Sequence, residues 1–478
     1  MGHGLFMIFM IDADILTNYN HHKISVFCKK NNMKQITAVF TLLIFALNTF
    51  SQSTANNIFL KNITLIDGTG NRALSNSNML IQADTIAGIN VKKIPAAAKI
   101  IDMAGKTIMP EIINTHGHLG LLKGTKTSYE NYTRENIISQ LEKYQSFGIG
   151  AVLCLGTDYD IIFGMRDSSQ ADKLPGAMIF TAGYGFGAAN GGPSFNFTVN
   201  KIYKPADPEE AIKDVQQLAR LKPDFIKMWV DDFYGQLPTM KPEIYRAIIS
   251  EAHKQGLRVA AHVFHLEDAR QLVDAGIDAL AHSIRDKDID DALLDAMKQK
   301  DVTYIPTLSL DEYQFIYTQK PDWVNDPFFK ASLEPGVYEM INSQEYIDRL
   351  KANPSFPKMN MYFQTALRNL AKIYKRGIKV ALGTDSGATP VRAQGFSEHL
   401  ELELMTEAGL TPLEAITCAT RNGSQLLHID KKYGTLEKGK KANFIVLSAN
   451  PENNIKNTRS IVGVWRDGAE VSQGPSGM

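Results

Sequence analysis

Histidines, a lysine and an aspartate recur at the ends of short apolar runs: His116, His118, Lys227, His262, His282 and Asp385. The runs cover residues 106–113, 224–226, 257–261, 278–281 and 378–384. Imidazole and carboxylate donors gathered in one place suit a divalent metal. His116 and His118 lie two apart, so on an extended strand both rings point to one side and can chelate one ion. A bare His-x-His is usually incidental, and the single histidines at two later strand ends give this one weight. His262 and His282 would complete the coordination of a second ion. Lys227 is the odd member, because an ammonium has no lone pair to offer a metal. Converted by carbon dioxide to a carbamate, the same side chain presents two anionic oxygens that can bridge two ions. The plain alternative is a strand-end lysine ion-paired with Asp231 or Asp232.

Asp385 could ligate one metal and take a proton from bound water, or simply serve as a turn or helix-cap aspartate. Two divalent cations set against one carbamate, one aspartate and one hydroxide leave a small positive excess, suited to polarising a carbonyl. Metal binding lowers the pKa of water from about 15.7 towards about 7. Asp385 would then pass the proton to the leaving group.

Residues this far apart meet only if the fold collects strand ends, as a parallel barrel does at its catalytic face. Strand-like and helix-like runs alternate through the middle of the chain, the pattern of a (β/α)8 TIM barrel in an α/β protein. Asp207-Pro208-Glu209-Glu210 and Thr411-Pro412-Leu413-Glu414 each place an N-cap, a proline and an acid ahead of a helical run. Gly148, Gly256, Gly276 and Gly377 fall between a helical run and a strand, where a left-handed residue is needed. Short alternating runs at 56–102, 443–448 and 461–466 predict a small β-sandwich built from both termini. The expected boundaries are 53–108 with 430–473 for the sandwich and 109–429 for the barrel. Residues 306–363, carrying Trp323, Phe328, Phe329, Tyr338 and Tyr346, are expected to form a helical lid.

The 478 residues exceed one compact domain, and 51 basic residues balance 51 acidic ones. No long-range field therefore favours nucleic acid or an anionic membrane, and a small molecule is the expected partner. The apolar stretch 36–47 follows Met33-Lys34-Gln35 and leads into small polar residues. It reads as the core of a signal peptide over 33–52, too short for a stable membrane span. Residues 1–32 then form a non-native extension, and the mature protein is exported, periplasmic or secreted. Removal of the leader takes Cys28 and leaves Cys154 and Cys418, which make no disulfide framework. A homo-oligomer is compatible with all of this.

The stretches KTIMPEIINTHGH (106–118), GIDALAHS (276–283), VALGTDSG (380–387) and residues 409–447 resemble the amidohydrolase superfamily, and the likeness runs from about residue 56 to 468. FIKMWV (225–230) and AGYGFGAANGGP (182–193) are most similar to its prolidase-type dipeptidase and imidazolonepropionase-related branch. The resemblance implies His116 and His118 on the first strand, Lys227 on the fourth, His262 on the fifth, His282 on the sixth and Asp385 on the eighth. It also implies two divalent ions, commonly zinc, bridged by a carbamylated lysine. Two positions depart from the family pattern of Pro-Gly before the first strand and Asp two residues before the first histidine: here they are Pro110-Glu111 and Asn114. Asn114 can orient a ligand by hydrogen bonding but brings no charge. His265, Tyr234 and Arg285 follow ligand-bearing strands and are candidate substrate contacts, with Arg285 suited to a carboxylate. His253 and His399 fall in helical runs and carry no assigned role.

The resulting expectation is an exported binuclear hydrolase that cleaves an amide bond in a dipeptide, an Xaa-Pro-like substrate or an N-acyl amino acid. The same metal site would also serve a lactone, ester or cyclic amide. A non-catalytic binding protein with a degraded site is the reading from outside enzymology, and the complete ligand set argues against it.

Overall fold

The computed structural model of the protein describes residues 57–193 and 202–475. The expected extension, leader and Cys28 lie outside the described residues. Cys154 and Cys418 are both free and buried.

The two ends of the chain meet in one eight-stranded mixed sheet. Asn57–Leu65 pairs antiparallel with Leu74–Gln82, which pairs with Thr85–Ile89. The first half of Asn57–Leu65 runs parallel to Lys99–Asp102, and its last two residues run parallel to Thr107–Pro110. Between the halves Asn62 takes φ +60°, a left-handed step that shifts the register and lets one strand serve two partners. Phe444–Leu447 closes antiparallel on Thr107–Pro110 and so joins the C-terminal hairpin, Ile461–Arg466 and Ala469–Ser472, to the N-terminal strands. The inward positions Leu60, Ile63, Met79, Ile108 and Phe444 form one core, with Phe444 stacked on Trp465 at 5.3 Å. The sheet shared by both termini is as expected. Seven of its strands follow one path and Lys99–Asp102 branches from Asn57–Leu65.

The middle of the chain is α/β and TIM-barrel-like. Ile112–Gly117, Ile149–Cys154 and Met178–Thr181 make one parallel sheet. Ile226–Trp229, Val259–His262, Ala279–Ala281 and Thr303–Ile305 make another. Single parallel bridges, Phe186 to Met228, Tyr304 to Val380 and Ser386 to Gly117, link these sheets in place of a continuous ladder. The strand expected over 378–384 exists only as a single bridge from Val380 to Tyr304, with a second from Ser386 to Gly117 just beyond the left-handed Asp385 at φ +58°. Small residues fill the interior, among them Ala151, Ala260, Ala279, Ala281 and Ala381, which keeps the strands close. Helices such as Pro208–Ala219 and Leu266–Ala275 bury an apolar stripe against the outside.

The punctuation read from sequence is present. Asp207 accepts from the Glu210 amide at 2.9 Å, and Thr411 with Glu414 forms a reciprocal capping box. Gly148, Gly256, Gly276 and Gly377 all have positive φ, where a Cβ would be strained. Residues 308–351 form short helices, Leu308–Tyr313, Pro327–Ser332, Val337–Asn342 and Gln344–Lys351, packed through Trp323 against Tyr313, Phe329 and Phe396.

The run 106–113 is two strands in different sheets, separated at Glu111. This departure from the family pattern sits at the opposite end of its strand from His116. Glu111 Oε2 accepts from Asn443 at 3.2 Å, while Oε1 is buried without a partner. A Cβ on Gly150 would stand 2.3 Å from that carboxylate, so the space for Glu111 depends on glycine there. Burial pushes the Glu111 carboxyl up to about 7, against the opposing pull of Arg466. A carboxyl raised in the folded state stabilises fully below its ordinary value of 4.5, and that contribution is lost as pH rises through about 7. Glu111→Gln is therefore expected to gain stability over the parent at pH 8, with the difference shrinking at pH 5. Urea melts at the two pH values measure this, and a pH-independent difference would contradict it.

Candidate metal centre

Strand geometry brings the histidines together. His116 lies within Ile112–Gly117, His262 ends Val259–His262, and His282 follows Ala279–Ala281 at φ +72°. That left-handed turn at His282 aims its ring inward. Ring centroids are 5.7 Å apart for His116 and His118, 4.6 Å for His116 and His282, and 4.1 Å for His262 and His282. Asp385 Oδ1 lies 2.7 Å from His118 Nε2 and 3.2 Å from His116 Nε2.

Three of the four rings have one nitrogen held from outside the cluster. His118 Nδ1 meets Thr157 Oγ1 at 2.7 Å, His282 Nδ1 meets Thr307 Oγ1 at 2.8 Å, and His262 Nε2 meets Asp231 Oδ2 at 2.7 Å. Metal-binding histidines need this arrangement, because the outer bond fixes ring orientation and tautomer and leaves the other nitrogen for the ion. Burial drives His116 down to about 3, with Lys227 adding to the effect, and carries His282 well below its ordinary value. The His116 and His282 rings are therefore neutral and keep their lone pairs. Burial alone would raise Asp385, but Arg392 and the two imidazoles beside it hold the carboxyl well below the usual range.

Lys227 is the second residue of its strand rather than its last, and its side chain is wholly buried. The ion pair with Asp231 or Asp232 that offered the plain alternative is not formed: Asp231 is taken by His262, and Lys227 Nζ has no hydrogen-bond partner. Burial lowers the amine to about 7, with Asp385 pulling the other way. The stem is sealed by Gly156, where a Cβ would meet Lys227 Cγ at 2.7 Å. Lys227 Nζ and His116 Nδ1 are thus buried polar atoms without hydrogen-bond partners at the centre of an imidazole cluster. Such a donor set fits divalent ions, with His116, His118 and Asp385 mutually close enough to share one.

A cavity of about 240 Å³ opens over the cluster, with walls that include Leu121, Trp229, Phe233 and Leu310. Of the candidate substrate contacts, Tyr234 and Arg285 line it. Arg285 is already committed, with Nε 3.0 Å from Asp311 Oδ1, Nη1 donating to the Ser283 carbonyl at 2.8 Å and its guanidinium over Phe264. His265 is directed at Asp232 and Asp286, and those carboxylates, Asp286 foremost, raise it to about 9. It is an ion-paired cation. His399 bonds Thr458 and the Phe147 carbonyl, and His253 bonds Asp278, both outside the site.

Sequence reasoning missed Thr157, Thr307 and Arg392, and weighed Asp231 only as an alternative partner for Lys227. Thr157 and Thr307 stand just beyond the strands ending at Cys154 and Ile305, so the strand-end rule that found the histidines would have found them too. Arg392 gives no such signal. It lies in a loop, pairs with Asp385 Oδ2 and lines the cavity.

The sequence model of the amidohydrolase family matches residues 107–471. The chain belongs to the amidohydrolase family. It is accordingly a metal-dependent hydrolase of carbon–nitrogen bonds in small molecules. Similar proteins include a 5-methylthioadenosine/S-adenosylhomocysteine deaminase of Shouchella clausii, 22% identical over 375 residues, which are 74% of this chain and 75% of the relative. A solved Xaa-Pro dipeptidase with methionine bound in its active site superposes with TM-score 0.69 at 24% identity, over 87% of this chain and 100% of that one. The ochratoxinase of A. niger gives 0.67 at 20% identity, over 88% and 96% of the two chains. At these identities the superpositions establish the shared fold.

Removing the outer partner of a ligand histidine typically costs 10–100-fold in metal affinity. Asp231→Ala in this amidohydrolase is expected to weaken zinc binding by about that factor. Chelator competition on the apo-protein measures it, and unchanged affinity would show that Asp231 does not orient His262.

Proposed function

We propose that the protein is a binuclear hydrolase acting on an amide bond in a dipeptide, an Xaa-Pro-like substrate or an N-acyl amino acid. The observation that carries this reading is a Lys227 amine without a hydrogen-bond partner, buried among four imidazoles and an ionised Asp385. With an ordinary value lowered to about 7, much of the amine is uncharged at neutral pH and able to react with carbon dioxide. A bond forms from Nζ to the carbon, one proton leaves, and two carboxylate-like oxygens replace an ammonium that can ligate nothing. In this reading His116, His118 and Asp385 would hold one ion and His262 and His282 another, with a Lys227 carbamate as a further anionic ligand. The nitrogen-rich donor set favours zinc. When bound, the ions supply Lewis acidity towards a carbonyl oxygen and acidify water.

The remaining steps belong to the chain. Asp385 accepts a proton and returns it to the leaving nitrogen. Arg392 takes the substrate carboxylate, the role expected of Arg285 from sequence, since Arg285 is spent on Asp311 whereas the ion partner of Arg392 is Asp385 itself. Drawing Arg392 towards substrate removes a charge that depresses Asp385 and makes that carboxylate a better base. Apolar walls at Leu121, Trp229 and Phe233 hold water away from the bond being cleaved. In the same reading the single bridges close an eight-stranded barrel, and the run at 36–47 supports export.

Reconstitution of apo-protein with zinc should bind two equivalents and be accelerated by bicarbonate, more so at pH 8 than at pH 6, where protonated Lys227 prevails. Lys227→Ala should lose most activity and the bicarbonate effect together. Reconstitution indifferent to bicarbonate would overturn the carbamate. A panel of dipeptides, N-acyl amino acids and lactones decides the substrate class, and turnover confined to lactones would overturn the amide assignment. A charge-assisted hydrogen bond is worth about 1.5–3 kcal/mol, so Arg392→Met should raise KM roughly 10–100-fold for free-carboxylate substrates and far less for their methyl esters. Equal effects on both would remove Arg392 from carboxylate recognition.

A further inference from the structure

Behind the ligands lies a carboxylate that the steps above leave idle. Glu398, in the first turn of the Phe396–Glu407 helix, is wholly buried. Its Oε1 accepts from Asn114 Nδ2, Thr384 Oγ1 and Ser386 Oγ, each at 2.7 Å, and its Oε2 accepts from the Gly395 amide at 2.8 Å. The Tyr144 hydroxyl lies 2.6 Å from Ser386 Oγ and can donate to it, which frees the serine proton for Glu398. Burial raises the Glu398 carboxyl, and the Ser386 and Thr384 hydroxyls that donate to it act in the opposite direction, favouring the ionised form. None of its four hydrogen-bond partners, Asn114, Thr384, Ser386 and the Gly395 amide, carries a positive charge.

The donors to Glu398 also hold the ligands. Asn114 Oδ1 accepts from the His116 amide at 2.9 Å, and the Ser386 carbonyl accepts from the His118 amide at 2.8 Å. The Thr384 and Asp385 amides both reach the His116 carbonyl, at 3.0 and 2.7 Å. Glu398 therefore ties together the two chain segments that carry His116, His118 and Asp385. It stands opposite position 114, where the family pattern has aspartate and this chain has an amide.

We propose that Glu398 is the positioning carboxylate of the metal centre, and that Asn114 and Glu398 form a transposed amide–carboxylate pair supplying from the helix the charge that position 114 lacks. The proposal rests on the ligand assignment made above. An ionised Glu398 would favour cations at the cluster, and its hydrogen bonds fix the segments that present the ligands.

The test is a cycle of Glu398→Gln, Asn114→Asp and the double substitution. Zinc affinity is read by chelator competition on each apo-protein and folding by thermal melting. Glu398→Gln should weaken zinc about 10–100-fold. Asn114→Asp alone sets two carboxylates face to face and should lower the apo melting temperature. The double variant again holds one carboxylate and one amide, and Thr384 and Ser386, 3.0 and 3.3 Å from Asn114 Nδ2, can turn their hydroxyls towards position 114. It should recover most of both losses. Unchanged zinc affinity in Glu398→Gln, or a double variant as impaired as the two single losses combined, would overturn the proposal. A lowered melting temperature with unaltered affinity would reduce Glu398 to a structural role and overturn it equally. The double variant keeps the question open to measurement if Glu398→Gln fails to fold. Parent protein that binds no zinc would instead remove the ligand assignment itself.

Discussion

A lysine amine enclosed in protein with no counter-ion is the constraint around which this molecule is arranged. Desolvation penalises an ammonium heavily, and the surroundings of Lys227 supply no carboxylate in contact to offset it. Asp231, the nearest acid in sequence, bonds His262, and Asp385 faces His116 and His118. The usual way to stabilise a buried cation has been withheld. What replaces it is a group of imidazoles whose ring nitrogens suit a metal cation. Amine and histidines are each unsatisfied alone, and both needs are met when the amine becomes an anion and metal ions arrive.

Holding four imidazoles this close requires rigidity in the shell outside them. Threonine hydroxyls and one aspartate anchor three rings from behind, and a short-range lattice of amides and hydroxyls around Glu398 anchors the segments bearing His116, His118 and Asp385. Left-handed residues at His282 and Asp385 turn side chains inward where an extended strand would carry them past. Such conformations cost of order 1–3 kcal/mol each and persist only where the surrounding structure dictates them. Glycine does similar work behind the amine, since the stem of Lys227 lies where a Gly156 side chain would be.

Much of this was legible in the chain because barrel chemistry is written at strand ends. The alternation of apolar runs and caps gives the α/β pattern, and His116, His118, His262, His282 and Asp385 could be picked out because each interrupts or follows such a run. The capping box at Thr411 and the left-handed glycines are local features, set by neighbours within a few residues, so local reasoning recovered them. Arg285 was misjudged for the opposite reason. Its carboxylate partner, Asp311, is brought to it by a helix that the strand pattern does not position. The run at 106–113 was read as one strand because apolar residues flank Glu111 on both sides, yet its two halves pair with different sheets.

The sequence by itself determined which side chains are available for metal chemistry and the order in which strands and helices deliver them, since both follow from residue type and short-range periodicity. Only the tertiary structure decided charge and partnership. It left Lys227 without an acid, gave Asp231 to His262, spent Arg285 on Asp311 and set Glu398 against Asn114 across 284 positions. Protonation state and ion pairing depend on distances and on the exclusion of water, and neither exists until the chain has closed around the site.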